Sequence, residues 1–262
     1  MNDPTQDIPV MQVLGTRVHV IQIPDVVSLI ARWIEEREPC RYIVNTGMHG
    51  LMEGCRNQEF KNILNSADLF TADGISVTWL ARRRGFPMRK RVSGTNLMRE
   101  VFLLSEQRGY RHFFYGDTPE TLSLLETKLK QEFPQLQVAG LHSPPFRPLT
   151  PDEDADEIRM INDSGADIIW VGLGLPKQEF WMYSHRGRLN APVTVGVGAS
   201  FKFLSGRVSR APAWLGDNGL EWLWRLFQEP KTVWRRVFLD APRFVIYIFL
   251  ERVGLKQFGT PE

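Results

Sequence analysis

Cysteine is scarce. Cys40 and Cys55 are the two in 262 residues. They form no C-x-x-C pair and no Cys/His metal spacing, which points to plain thiols in a reducing compartment. Long apolar runs are missing too: none approaches the roughly 18–20 residues a membrane span needs. No charge of one sign dominates. The formal net charge of +2 is too small to argue for a nucleic-acid partner. His19, His49, His112, His142 and His185 fall at no catalytic spacing. His49 alone lies near a predicted strand end, where a surface or capping role is expected. The chain carries no internal repeat and no low-complexity tract. Its first residues, MNDPTQDIPV, lack the apolar core of an export signal, so retention in the cytoplasm is expected. What remains is an ordinary globular composition, 43% hydrophobic and 24% charged. The length suits one large α/β domain, with or without an appendage.

The most informative stretch is Asp167–Trp181, DIIWVGLGLPKQEFW. Its apolar, β-branched first half predicts a strand buried on both faces. Gly172-Leu173-Gly174-Leu175-Pro176 follows, where two glycines permit a sharp turn or the approach of a ligand. Pro176 suits the first turn of a helix. Lys177, Gln178 and Glu179 then fall where open α/β sheets bind ligands and where a helix N-terminus favours an anion. Packing and binding are both open for this turn.

The same alternation runs along the chain. Val10–Leu14 and Arg17–Ile21 around Gly15-Thr16 predict a hairpin at a sheet edge or a small lid. A helix is expected from Pro24-Asp25 to about Glu36, with Asp25 as N-cap. A strand at 41–44 ends in the loop Asn45-Thr46-Gly47-Met48-His49, and one helix is expected over 50–64. A strand at 68–71 ends in Ala72-Asp73-Gly74, which makes Asp73 either a helix cap or a reactive carboxylate. Arg82-Arg83-Arg84 and Arg89-Lys90-Arg91 flank Pro87, a cluster that suits a solvated loop or phosphates. Further strands are expected at 111–115, 137–141 and 193–197, the last followed by the glycine-rich loop Gly196–Ser200. Thr150-Pro151-Asp152-Glu153 reads as a capping box, and its acidic run as helix capping rather than a metal site. The pattern predicts an α/β fold: a mainly parallel, Rossmann-like sheet with helices on both faces.

After about Ser205 arginine mixes with aromatics, and four of the eight Trp lie there. Pro230 and Pro242 divide this tail into short helices. The expected division is residues 1–205 as the α/β domain and 206–262 as a basic, aromatic helical appendage. Such a composition suits an anionic membrane surface, or a helical layer packed on the sheet or between subunits.

Collected at strand ends are Asn45, Thr46, Asp73, Gly116, Asp117, Gln178 and Gly198, with Arg91, Arg210 and Arg225 as basic candidates. A sugar nucleotide fits this set. Backbone N–H groups and Arg hold its diphosphate, Asp73 takes a proton from an acceptor hydroxyl, and Arg offsets the leaving charge. Two rivals stand beside it. Gly172-x-Gly174 opens like a dinucleotide fingerprint, which suggests a nicotinamide-dependent oxidoreductase, yet Lys177 occupies the third glycine position. A noncatalytic membrane-associated binding protein explains the tail but leaves the strand-end groups without a purpose.

Several long motifs, in order, resemble the WecG/TagA/CpsF family, glycosyltransferase family 26, over nearly the whole chain. They are NSADLFTADGISVTWLARRRG, RVSGTNL from Arg91, FFYGDTPE, SPPFRPLTPDED, VGLGLPKQE and GRVSRAPAWLGDNGLEWLWRLFQEP. The resemblance implies an inverting, metal-independent, cofactor-free transferase on the inner face of the bacterial cell membrane. It would move a sugar from a UDP-sugar to a polyprenyl-diphosphate-linked acceptor in surface-polysaccharide or cell-wall synthesis. It makes Asp73 the base and Arg91 and Gln178 sugar or phosphate contacts. Arg210, Arg225 and Arg235 become candidate diphosphate contacts on a tail that closes the site and meets the membrane. A homo-oligomer is left open. Three positions depart from the family pattern. Asn45-Thr46-Gly47 stands for Thr-x-Asn, Gly116-Asp117 stands for a glycine pair, and Lys202 stands for an Asp that bears on the nucleotide base.

Overall fold

The computed structural model describes residues 5–37, 39–209, 211, 221–228 and 230–259, with Glu221, Arg225, Lys231 and Thr232 described by backbone alone. Two strands, β1 (Val10–Val13) and β2 (Thr16–His19), pair antiparallel. Leu14 and Gly15 make the turn with φ of 52° and 77°, the backbone a tight hairpin needs. The hairpin is a sheet of its own, docked by His19 Nδ1, which accepts from the Phe70 N–H at 3.0 Å. It is a prop for the main sheet rather than a lid.

The main sheet contains β3 (Arg41–Thr46), β4 (Leu69–Ala72), β5 (Arg111–Gly116), β6 (Gln137–His142), β7 (Ile168–Gly172) and β8 (Val193–Gly196), in the order β4-β3-β8-β7-β5-β6. All its pairings are parallel, so the expected Rossmann-like architecture is the one found. Alternation along β7 shows why its sequence is apolar throughout. Ile169 and Val171 enter the core on one face, and Ile168 and Trp170 the core on the other. Trp170 donates to His112 Nδ1 at 2.9 Å. Burial lowers the His112 pKa to about 3, so this histidine is a neutral core acceptor.

Helices α1 (Ile23–Glu35), α5 (Gly94–Arg108), α6 (Pro119–Glu132) and α9 (Ser200–Leu204) contribute to one core. Helices α2 (Met48–Arg56), α3 (Gln58–Asn65), α4 (Ile75–Arg83), α7 (Pro151–Asp163) and α8 (Lys177–His185) contribute to the other. Two expectations need correction. Asp25 is not the N-cap of α1: Gln22 holds that place, and Asp25 reaches back to its N–H at 3.3 Å. The single helix over 50–64 is two helices. Asn57 is extended, and its side chain accepts from the Phe60 N–H at 3.1 Å, stopping α2 and capping α3.

The tail comprises α10 (Glu221–Gln228), α11 (Pro230–Arg235), a π-turn (Arg236–Asp240) and α12 (Ala241–Arg252). Pro230 and Pro242 each fall in a first helical turn, as expected. Phe244 of α12 is buried in the core shared with α2, α3 and α8. Among the described residues no helix is long and apolar enough to cross a membrane.

Candidate active site

Parallel strands leave their C-terminal ends on one edge of the sheet, where loops converge. A cavity of about 1250 Å³ lies along that edge, reached by the loops after all six strands and covered in part by Trp222, Val233 and Arg236 of the tail. Asp73 follows β4. Its N–H donates to Thr46 O at 2.9 Å, and the Val92 N–H donates to Ala72 O at 2.9 Å, so the loop is tied on both sides. Gly47 makes the fit possible, since a Cβ there would stand 2.7 Å from the Asp73 carbonyl oxygen. Arg91 Nη1 lies 3.7 Å from Asp73 Oδ1, with both side chains partly open to the cavity.

Asn45 and Thr46 also line the cavity, as the last residues of β3 rather than in a loop beyond it. Asn45 Nδ2 donates to Thr71 Oγ1 and to Val92 O, both at 2.7 Å. Its amide hydrogens therefore fix the Arg91–Val92 segment beside Asp73. The wall is strongly cationic. Arg91, Arg147, Lys177, Lys202, Arg207 and Arg236 line it, against the carboxylates of Asp73 and Asp117. Arg207 Nη1 donates to Thr118 Oγ1 at 3.0 Å and Thr121 Oγ1 at 2.9 Å. A wall of this charge suits anions beside the Asp73 carboxylate.

The sequence model of the glycosyl transferase WecG/TagA/CpsF family matches residues 11–258. The chain belongs to this family. Among its relatives is the N-acetylglucosaminyldiphosphoundecaprenol N-acetyl-β-D-mannosaminyltransferase of Bacillus spizizenii, 32% identical over 220 residues, which cover 84% of this chain and 83% of the relative. The enzyme of the same name from Bacillus subtilis is 27% identical over 203 residues, covering 78% and 77%. The dinucleotide reading of Gly172-x-Gly174 falls away with this membership.

In this glycosyltransferase two expected ligand contacts, Gly116 and Gln178, have structural roles. Gly116 does not line the cavity among the described residues. Its φ is 117°, and a Cβ would stand 2.7 Å from the Gly172 carbonyl carbon, so it is glycine to let β5 and β7 end side by side. Its neighbour Asp117 lines the cavity instead. Gln178 reaches the cavity wall but is 2% exposed. Its Oε1 accepts from the Gly198 N–H at 3.0 Å and its Nε2 donates to Glu179 Oε1 at 2.9 Å. Gln178 thus holds the Gly198 loop in place, and Gly198, with φ of 52°, forms part of the wall. Pro176 sits at the N-cap of α8, one place before the expected first turn.

Glu179, beside Gln178 in the first turn of α8, is fully buried. Burial raises its pKa to about 7, and Oε2 has no hydrogen-bond partner among the described residues. Of the tail arginines, Arg210 lies outside the described residues, as does the Arg225 side chain. Arg235 stacks over Trp234 at 5.5 Å. Among the described residues, Arg207 and Arg236 of the tail face the cavity. The π-turn beginning at Arg236 shifts the helical phase, which a regular 3.6-residue reading of the tail does not anticipate.

His49, expected in a surface or capping role, anchors the tail. Its Nδ1 lies 3.0 Å from Asp240 Oδ2, and Arg56 bonds the other oxygen of that 3%-exposed carboxylate. Burial, helped by Arg236, lowers the His49 pKa. Asp240 ends the π-turn, so these bonds pin the tail to α2 beside the cavity. Asp240→Ala should loosen that docking by on the order of 2 kcal/mol, less than for a fully buried pair because His49 and Arg56 keep some solvent contact. Limited proteolysis should then cut within 206–262 faster than in the parent, with the α/β domain intact.

Proposed function

We propose that this enzyme transfers an N-acetylhexosaminyl group from a UDP-linked donor to a polyprenyl-diphosphate-linked acceptor, with inversion and without a metal ion. The observation that carries the reading is the cationic chamber around the Asp73–Arg91 pair. Donor and acceptor in this reaction both carry diphosphates, and the six lining cations suit two such groups. Asp73 accepts the proton of the acceptor hydroxyl while the hydroxyl oxygen bonds to the sugar C1. The C1–O bond to the nucleoside diphosphate breaks, and its electron pair stays on the leaving diphosphate beside Arg and Lys. The names of the Bacillus relatives support an acceptor of the diphosphoundecaprenol type.

The appendage 206–262 closes the chamber and meets the inner face of the cell membrane. Val245 and Phe249, four residues apart on α12, are exposed, as is Val253 at its C-cap, with Arg243 and Arg252 also exposed. This suits a helix lying on an anionic surface. A transfer assay in excess EDTA, paired with thermal shift on UDP-, GDP- and dTDP-sugars, tests the proposal. Unchanged turnover in EDTA and stabilisation by a UDP-sugar are expected. Turnover lost in EDTA and restored by a divalent cation would overturn the metal-free step. Stabilisation by GDP- or dTDP-sugars alone would reassign the donor.

A further inference from the structure

From Gly74 to Arg99 the chain carries no acidic residue and seven basic ones. The structure divides their labour. Arg91 meets Asp73. Arg82 donates from Nε to Met88 O at 2.8 Å and from Nη2 to Arg89 O, folding the loop after α4 back on the helix. The Lys90 N–H donates to Gln22 Oε1 at 3.1 Å, fastening the loop to the domain. Arg84 is spent on Glu251 of α12 at 2.9 Å. The exposed side chains of Arg89 and Lys90 have no partner among the described residues, yet their backbone is firmly held. Such a loop presents charge rather than merely carrying it.

The helix before it is equally suggestive. Ile75 and Trp79 lie four residues apart on α4, 42% and 54% exposed, and Arg83 one turn further stacks on Trp79 at 4.5 Å. Ile75 also lines the cavity, so the exposed apolar face starts at the mouth beside Asp73 and runs outward to the cationic loop. An exposed Trp flanked by cations is suited to a headgroup layer, where the ring is half desolvated and the charges meet phosphate.

We propose that α4 and the Arg89–Lys90 loop form a second membrane-docking surface, on the catalytic domain itself, for anionic lipid headgroups. The Arg84–Glu251 ion pair sets this surface next to α12, so domain and appendage engage the bilayer together and the cavity mouth opens at the lipid boundary. The inference rests on the membrane reading of the tail, and the test separates the two.

Full-length protein is sedimented with vesicles of phosphatidylglycerol and phosphatidylcholine, comparing the parent, R89E/K90E, W79S and the tail variant R243E/R252E. R89E/K90E should bind roughly tenfold or more weakly, with an unchanged thermal midpoint and unchanged turnover on a water-soluble acceptor. W79S should weaken binding and retain the salt dependence of the parent. Parent-like binding by both α4 variants, with loss in R243E/R252E alone, would overturn the α4 surface and leave the tail as the anchor. No binding by the parent would overturn both readings. Binding of the parent to single-stranded RNA as tightly as to vesicles would assign the basic loop to nucleic acid and overturn the lipid proposal.

Discussion

Asp73→Asn should lose turnover by about a hundredfold or more, the range for a missing general base, while still binding the nucleotide sugar. The substitution keeps the size of the side chain and leaves the Asp73 N–H on Thr46 O and the Gly47 approach intact, since both involve backbone. Arg91 would face a neutral amide in place of the carboxylate 3.7 Å away. Freed of that partner, it becomes more available to a donor phosphate, so donor affinity should hold or rise. Single-turnover transfer, with donor binding measured separately by calorimetry, checks this. Turnover within a few-fold of the parent would remove Asp73 as the base.

The second large effect concerns Glu179. Its carboxyl ordinarily titrates near 4.5 and is raised to about 7 by burial. The folded protein therefore holds a proton that the unfolded chain has already released. Stability from this group is fully present below about pH 4.5, declines as pH rises through about 7, and stays lost above it. The shift corresponds to on the order of 3 kcal/mol between the two limits. Denaturant unfolding of the parent should show that decline, over and above other groups. Glu179→Gln should abolish it, because an amide still accepts from Gln178 Nε2 and does not titrate. An unaltered slope in the variant would mean that another group carries the dependence. Since Gln178 holds Gly198 in the cavity wall, turnover in the parent should become more sensitive to denaturant above pH 7.

Much of this was legible in the sequence, for reasons tied to particular residues. The apolar run Ile168–Val171 announced a strand covered on both faces, and the glycines after it announced the sheet's functional edge. Asp73 was noticed because a carboxylate at a strand's C-terminal end is either a helix cap or a reactive group, and the family resemblance singled out Asp73 and Arg91 together. The helix start at Thr150 was plain because capping chemistry is local. What failed depended on distance in sequence. Gln178 looked like a ligand contact because nothing local reveals that its Oε1 accepts from the N–H of Gly198, twenty residues on. Gly116 looked like a binding glycine because its crowding comes from Gly172. The break at Asn57 was missed because the apolar period continues across it. Asp240 gave no sign of anchoring a tail, since its partners His49 and Arg56 lie at the other end of the chain. The acidic run of α7 was read as capping. Glu153 does cap, but Asp154 and Glu157 also bond His185 at 2.7 Å and His142 at 2.9 Å.

The strand order has a consequence for how the enzyme is made. The two central strands, β7 and β8, are the last to be synthesised, while β3–β4 and β5–β6 lie on either side of them. During translation the early pairs have no partner through which to join. Even after β7 adds to β5, β3–β4 stays apart from it, and both strand groups keep open hydrogen-bonding edges until β8, ending at residue 196, is made. Completion of the sheet waits for β8, and assembly of the chamber waits longer, for Lys202, Arg207 and the tail residues Trp222, Val233 and Arg236. A ribosome that stalls before β8 leaves a product with exposed edges and no site, a natural target for chaperones and proteases.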